Sequence, residues 1–443
     1  MNPRPRPTHN HQALLFLTIL LFVTNLVSAI LFISFVKRPV YDELYNMRDV
    51  QTYAANRISV STLRIHKNAA APGSFIWMAA GVRLWGGDEL RAARIASLAS
   101  WLLLGIGILV GGSLSSFPEL WYGSLLCTLV FPHAVISTAT VLTEGPSLLF
   151  ATLGALAWTE FVQLQTVDTL RIFLGLVGGL SLGVAVVCRQ YNFALLISAA
   201  VISIVQLNNQ SKREARSWVS GLALSLMAAT APVILLLLVW KGVTSPSMAA
   251  GLSYANYQAS MGLNLTRLLA AGFYVIVYLL PLSYSVSQNL TSAQRWAVLF
   301  SSLLLGILVT SIRSHLIEPG PLSTVTHLVS RLPMGSIVAF GLLAFLAIYN
   351  FIKASIMLWN AKTRVVSCIP LQFALLAILF FVVEQVGVGG NIPFYDRYVL
   401  QFAPFLGIIA FSITPNLTRS RSILMVGLSS VSHLLLWSHA FQK

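Results

Sequence analysis

Long apolar runs alternate with short polar connections along the whole 443-residue chain. Thirteen such runs can be drawn, at roughly 12–36, 93–112, 119–138, 145–163, 172–187, 191–207, 218–240, 268–287, 296–313, 334–352, 366–386, 398–414 and 422–438. Their lengths suit helices crossing a hydrocarbon core of about 30 Å, which takes about 17–25 residues. The pattern predicts an all-α, polytopic membrane protein of about 11–13 transmembrane helices. No polar stretch is long enough for a sizeable soluble domain, so residues 1–443 read as one membrane domain. The runs 172–187 and 191–207 are short and separated only by "CRQYN", which suggests a tight hairpin or a re-entrant pair.

The longest polar segment, about 37–92, follows the first run directly and has helical periodicity of its own. In "YDELYNMRDVQTYAANR" the residues Leu44, Met47, Val50 and Tyr53 or Ala54 recur at three- and four-residue spacing, as in a helix lying along a membrane. "PGSFIWMAAGVRLWGG" starts at Pro72 and stops at Gly86-Gly87. It holds about 14 helical residues, too few to span, and reads as a second interfacial or re-entrant helix.

Composition sharpens this picture. The chain is 56% hydrophobic and 9% charged, against about 25% charged for soluble domains. The net charge of +15 is spread over loops, as topology demands, and does not argue for nucleic acid. With the N-terminus in the cytoplasm, "SKREAR", "NAKTR" and "TRSRS" all fall on the cytoplasmic side. The first outer loop is the exception, with nine Lys and Arg from Lys37 to Arg94, a hint of anion binding. Most of the 13 acids fall at the outer face, which puts the polar chemistry there. Cys127, Cys188 and Cys368 lie in or beside apolar runs and form neither a disulfide framework nor a zinc pattern.

Five stretches carry candidate chemistry. Asp42 and Glu43 are adjacent acids where the first span ends. They suit either a helix start, where the dipole favours acids, or a general base at a membrane-edge cavity. Glu144, in "TATVLTEGPSLLF", stands at the mouth of an apolar helix, where a carboxylate is costly unless paired or functional. "CRQYN" places Arg189, Gln190 and Asn192 between two apolar runs. Arg189 either snorkels to the interface or grips a phosphate through its fork. "NIPFYDRYVLQFAPF" places Arg397 and Tyr398 where the chain re-enters the membrane, and Arg397 is the best phosphate-binding candidate. Tyr257 and Gln258, in the outer loop "GLSYANYQASMGLNLTR", suit sugar hydroxyls. No P-loop, dinucleotide fingerprint, H-E-x-x-H or G-x-S-x-G motif occurs, and ligand-type residues do not cluster. Neither a cofactor nor an obligatory metal is therefore expected.

These motifs together resemble the GT-C superfamily of integral-membrane glycosyltransferases. Those enzymes place an acidic motif in the first outer loop, interfacial helices after it, and a second acid roughly a hundred positions on. Within the superfamily, "RPVYDELYNMRDVQTY", the "PG" of "APGSF", "TEG", "RQYN" and "FYDRYVLQFAPF" look most like the alpha-1,2-glucosyltransferase that adds the terminal glucose to the dolichol-linked N-glycan precursor. The chain departs from that family at Leu44-Tyr45-Asn46, where a histidine follows the acids, and its compact loops are like those of a prokaryotic relative. The resemblance implies a polyprenyl-phosphate-linked sugar as donor, a glycan or lipid-linked acceptor, and an active site on the extracytoplasmic face of a cell membrane. It also implies an inverting transfer with Asp42 as base, Glu43 or Glu144 orienting the acceptor, and Arg397 and Arg189 on the donor phosphate. A lipid-linked-glycan flippase would use the same basic, aromatic cavity without chemistry. Internal repeats and mid-membrane charges would mark one, and neither is evident.

Overall fold

A computed structural model describes residues 9–164, 169–208, 212–250, 271–276, 291–311, 335–360, 362–387 and 396–441. Among the described residues the regular structure is all helical. In chain order the first elements are α1 (His9–Phe35), α2 (Glu43–Ala55), α3 (Val60–Arg64), α4 (Gly73–Trp85), α5 (Glu89–Leu114), α6 (Pro118–Leu129), α7 (Pro132–Ala139), α8 (Glu144–Gln163), α9 (Thr169–Cys188), α10 (Phe193–Asn208) and α11 (Lys212–Trp240). Further helices cover Ser292–Ser311, Gly335–Asn360, Ile369–Gly387, Ala403–Ile413 and Arg419–Phe441.

Five of these are long and apolar enough to cross a membrane: His11–Phe35, Glu89–Leu114, Thr169–Cys188, Gln190–Asn208 and Val219–Trp240. A sixth span is obtained if α6 and α7 count as one. Three shorter apolar helices accompany them. The protein is thus an integral, multi-pass membrane protein. The run 119–138 is not one straight helix, because α6 and α7 meet at 79°. Pro132 offers no N–H to continue α6 and pushes Phe131 into extended backbone, ψ 134°. The pair 172–187 and 191–207 is not a tight hairpin either. α9 packs chiefly between α8 and α11, whereas α10 packs against Ile369–Gly387.

Small residues let the helices approach. Gly175, Gly179 and Gly183 recur every fourth position on α9, the small-xxx-small spacing of membrane helix contacts. A Cβ on Gly179 would lie 2.1 Å from the Ser225 carbonyl oxygen, and one on Gly183 would lie 2.2 Å from that of Ala229, so α9 and α11 touch backbone to backbone. Gly407 does the same for Ala403–Ile413 against α6, where a Cβ would lie 2.7 Å from the Gly123 carbonyl oxygen, and one on Gly123 would meet the Phe411 ring. Larger side chains, including Trp101, Trp121, Trp158, Phe373 and Phe405, fill the buried core around these contacts.

The first loop forms a smaller layer of its own. Met47, Val50 and Tyr53 of α2 pack on Phe75, Met78 and Val82 of α4, over Ala92 and Ala93 of α5. Both helices therefore form where their periodicity predicts. Arg83 joins them by donating to the last α2 carbonyls, Tyr53 O at 2.7 Å and Ala54 O at 3.0 Å, and to Asn56 O. These carbonyls have no partner within α2 itself.

Candidate active site

The polar residues gather at the end of the bundle where α1, α9 and α11 finish and α5, α8 and α10 begin. α2 starts there too. Tyr41 adopts the left-handed region, φ 52°, uncommon for an aromatic residue. Such strain persists only where the surroundings impose it and concentrates at functional sites. Asp42 follows at the N-cap position. It is exposed, and its side chain does not cap α2.

Glu43, by contrast, is fully buried. Arg94 grips it with two bonds, Nε to Oε1 at 2.8 Å and Nη2 to Oε2 at 2.6 Å. Two backbone amides complete the shell, Val40 N to Oε2 and Val141 N to Oε1, both at 2.8 Å. Arg94 also donates to Val36 O and to Arg38 O at the end of α1, and lies 5.4 Å from the Phe32 ring. The pair therefore ties the ends of α1, α2 and α5 to the segment before α8. Side-chain bonds reinforce that seam. Asn46 Nδ2 donates to Val141 O at 2.8 Å, Asn68 Nδ2 to Asn46 Oδ1 at 3.1 Å, and Ser74 Oγ to Thr143 O at 2.9 Å.

Glu144, at the first position of α8, lies beside this seam. Its burial is offset by Arg189, which donates through Nη2 to Oε1 and through Nε to Thr143 Oγ1 at 2.7 Å. Both charges suit their helix ends: the acid meets the positive end of α8, and the guanidinium follows the negative end of α9. Arg189 also lies 5.5 Å from the Tyr398 ring, which is 5.1 Å from that of Tyr191. Beneath it, Asn192 Nδ2 donates to Ser147 Oγ at 2.7 Å, and Ser147 donates to Gln401 Oε1 at 2.7 Å. Gln190 reaches the first loop, donating to Ala69 O at 2.9 Å. Glu144 Oε2, Asn192 Oδ1 and Gln401 Nε2 are buried and find no hydrogen-bond partner among the described residues.

A third polar pair stands apart. His66 is buried, with Nδ1 3.2 Å from Asp49 Oδ1 and Nε2 2.7 Å from Ala70 O. Trp240 at the end of α11 stacks on it, and Trp240 Nε1 donates to Leu63 O at 2.9 Å. Burial raises the Tyr53 phenol above its usual range, and the nearby Asp49 charge adds to the effect. Burial alone raises Tyr41.

The structure thus gathers Glu43, Glu144, Arg189, Gln190, Asn192 and Tyr398 around one seam, with Asp42 at its rim. Arg397 lies in the 3-10 helix Asp396–Phe402, directly before Tyr398. Tyr257 and Gln258 lie outside the described residues. Sequence reasoning missed Arg94 and His66 as partners, and Ser147 and Gln401 as links. Arg94 alone left a sequence signal, a cation five residues past Glu89 where α5 turns apolar. Among the described residues no three His, Cys, Asp or Glu side chains lie close enough to hold a metal ion.

Fold and site define a class: a multi-pass helical membrane protein with two buried carboxylate–guanidinium pairs joined across one end of its bundle. No family model matches the chain, and no curated protein does. Among solved structures it is similar to ArnT from Cupriavidus metallidurans, seen bound to undecaprenyl phosphate (TM-score 0.40) and in the apo state (0.39). In both cases the identity is 14%, over 94% of this chain and 77% of that one.

Proposed function

We propose that this protein is a membrane glycosyltransferase of the GT-C type. It moves a sugar from a polyprenyl-phosphate-linked donor to a hydroxyl of a glycan or lipid-linked acceptor at the extracytoplasmic face. The observation that carries the reading is the seam itself. An exposed acid, Asp42, stands next to a carboxylate locked by four bonds, and that carboxylate binds Val141, three residues before the second acid, Glu144. A loop that only linked two spans would have no use for so costly a pair of buried charges.

In this reading Asp42 is the general base. The acceptor oxygen attacks the anomeric carbon, the bond from that carbon to the phosphate oxygen breaks, and the hydroxyl proton passes to Asp42. A single displacement inverts the anomeric centre, and the leaving group departs as polyprenyl phosphate. That anion needs charge stabilisation more than protonation, which Arg397 provides. Glu43 and Arg94 are positioning residues: four bonds leave Glu43 no free role as base. Arg189 holds Glu144 in place beside the acceptor. The likeness of "DEL", "TEG" and "RQYN" to the terminal glucosyltransferases makes polyprenyl-phosphate glucose the first donor to test.

The test is transfer from radiolabelled polyprenyl-phosphate sugars by purified protein in proteoliposomes. Wild type transfers the label, and Asp42→Asn lowers the rate by about 10²–10⁴-fold at unchanged thermal stability. A wild type inactive with every polyprenyl-phosphate sugar overturns the enzyme reading. A fully active Asp42→Asn removes the base.

A further inference from the structure

The first loop carries more positive charge than the seam uses. Arg64, Arg83 and Arg94 are bonded to backbone carbonyls, and Arg94 also to Glu43. Lys37, Arg38 and Arg48 are exposed. Lys37 and Arg38 follow the apolar helix α1 within two or three residues of its last turn, at Phe35, which is 72% exposed. Their height is therefore fixed at the headgroup layer.

α2 continues from them with two distinct faces. Glu43, Asn46, Met47, Val50 and Tyr53 point inward and are buried. On the other face Leu44, Tyr45 and Arg48 share one stripe, since Arg48 lies four and three residues beyond the other two. Leu44 is 66% exposed and Tyr45 53% exposed. An apolar, aromatic and cationic stripe on a helix that starts at headgroup height has the composition of an interfacial anchor. Charge complementarity selects its occupant. From residue 37 to 48 three cations and one acid, Asp42, are exposed, and Glu43 is neutralised internally by Arg94, so even with Arg38 set against Asp42 the charges of Lys37 and Arg48 are in excess. Cytoplasmic loops usually carry such an excess, and the cytoplasmic orientation of the N-terminus would put this one on the opposite side.

We infer that the exposed stripe of α2, with Lys37 and Arg38, is a binding surface for the phosphates of anionic phospholipids. Leu44 and Tyr45 enter the acyl boundary, and the cations meet the headgroups. The lipid thereby braces the rigid seam that carries Asp42. This inference does not depend on sugar transfer.

The experiment titrates phosphatidylglycerol, phosphatidylcholine or polyprenyl phosphate into detergent-solubilised full-length protein and follows the unfolding temperature. A ligand that binds only the folded state raises it. Phosphatidylglycerol is expected to raise it and phosphatidylcholine not. About 1 kcal/mol per cation near an anionic surface corresponds to about a fivefold change in affinity. The Lys37→Gln/Arg48→Gln variant is therefore expected to need roughly 25-fold more phosphatidylglycerol, while Arg48→Lys stays close to wild type. About 1 M salt, where the Debye length is ~3 Å, weakens the effect in the wild type itself, a readout that needs no variant. Equal shifts from both phospholipids, or an unchanged midpoint in the double variant, overturn the inference. A variant-sensitive shift from polyprenyl phosphate alone overturns it too, and makes the stripe a donor-phosphate site.

Discussion

Replacing Arg94 by Met separates a structural Glu43 from a catalytic one. The guanidinium is 1% exposed in its side chain, and Glu43 is 0% exposed. Arg94→Met keeps an apolar stem of similar length and removes every charged donor. Glu43 then retains the amides of Val40 and Val141 but loses its counter-charge, and Val36 O and Arg38 O lose a partner. Breaking a buried pair from one side costs about 3–5 kcal/mol. Unfolding entropies of ~2.1 cal/mol/K per residue give about 0.9 kcal/mol/K for a chain of this length, so the melting temperature should fall by about 3–5 °C. A membrane protein that keeps its helices on unfolding has a smaller entropy change, and its shift is larger. The assay is thermal unfolding in detergent, followed by loss of the monodisperse peak in size-exclusion chromatography. Glu43→Met/Arg94→Met removes both charges, and since an apolar replacement of a buried pair is often neutral against the intact pair, it should recover most of the about 3–5 kcal/mol lost by Arg94→Met. Two results refute the reasoning. One is a melting temperature for Arg94→Met within a degree of wild type. The other is a Glu43→Gln variant that melts normally yet has lost all transfer, which would make Glu43 the reacting carboxylate.

Other sites give independent checks. Gly179→Ala forces a methyl against the Ser225 carbonyl at 2.1 Å. Overpacking of this kind costs about 1–3 kcal/mol, whereas Gly427→Ala, where nothing lies within 4 Å of the added atom, should leave thermal stability unchanged. Arg83→Met strips the donors from the last α2 carbonyls, so hydrogen exchange over residues 53–58 should accelerate while α5 stays protected. Asp49→Ala leaves Lys67 N without its acceptor and removes the carboxylate 3.2 Å from His66 Nδ1. It should cost about 1–3 kcal/mol and raise protease sensitivity in the α2–α4 connection, with no change at α6.

Much of the architecture was legible because the signal is local. A helix crossing lipid must satisfy its backbone polar groups internally and show apolar side chains over about 20 residues. The spans α1, α5, α9, α10 and α11 could therefore be placed to within a few positions. α2 and α4 announced themselves by periodicity and by Pro72 and Gly86-Gly87. The bend at Pro132 was written in the sequence too, but hydropathy across 119–138 is continuous and conceals it.

The site divides in the same way. The sequence by itself determined which residues are anomalous, since a charge in an apolar helix end stands out wherever it occurs: Asp42, Glu43, Glu144 and Arg189. Their partners were a matter for tertiary structure. Glu43 meets Arg94 across 51 positions and Val141 across 98, and Glu144 meets Arg189 across 45. No spacing rule encodes such distances, because the pairings follow from which helix ends share one face of the bundle. Only the fold could show that adjacent acids occupy opposite environments. At the start of α2 one residue of rotation turns Glu43 into the protein, beside a buried guanidinium, and leaves Asp42 in solvent at the rim.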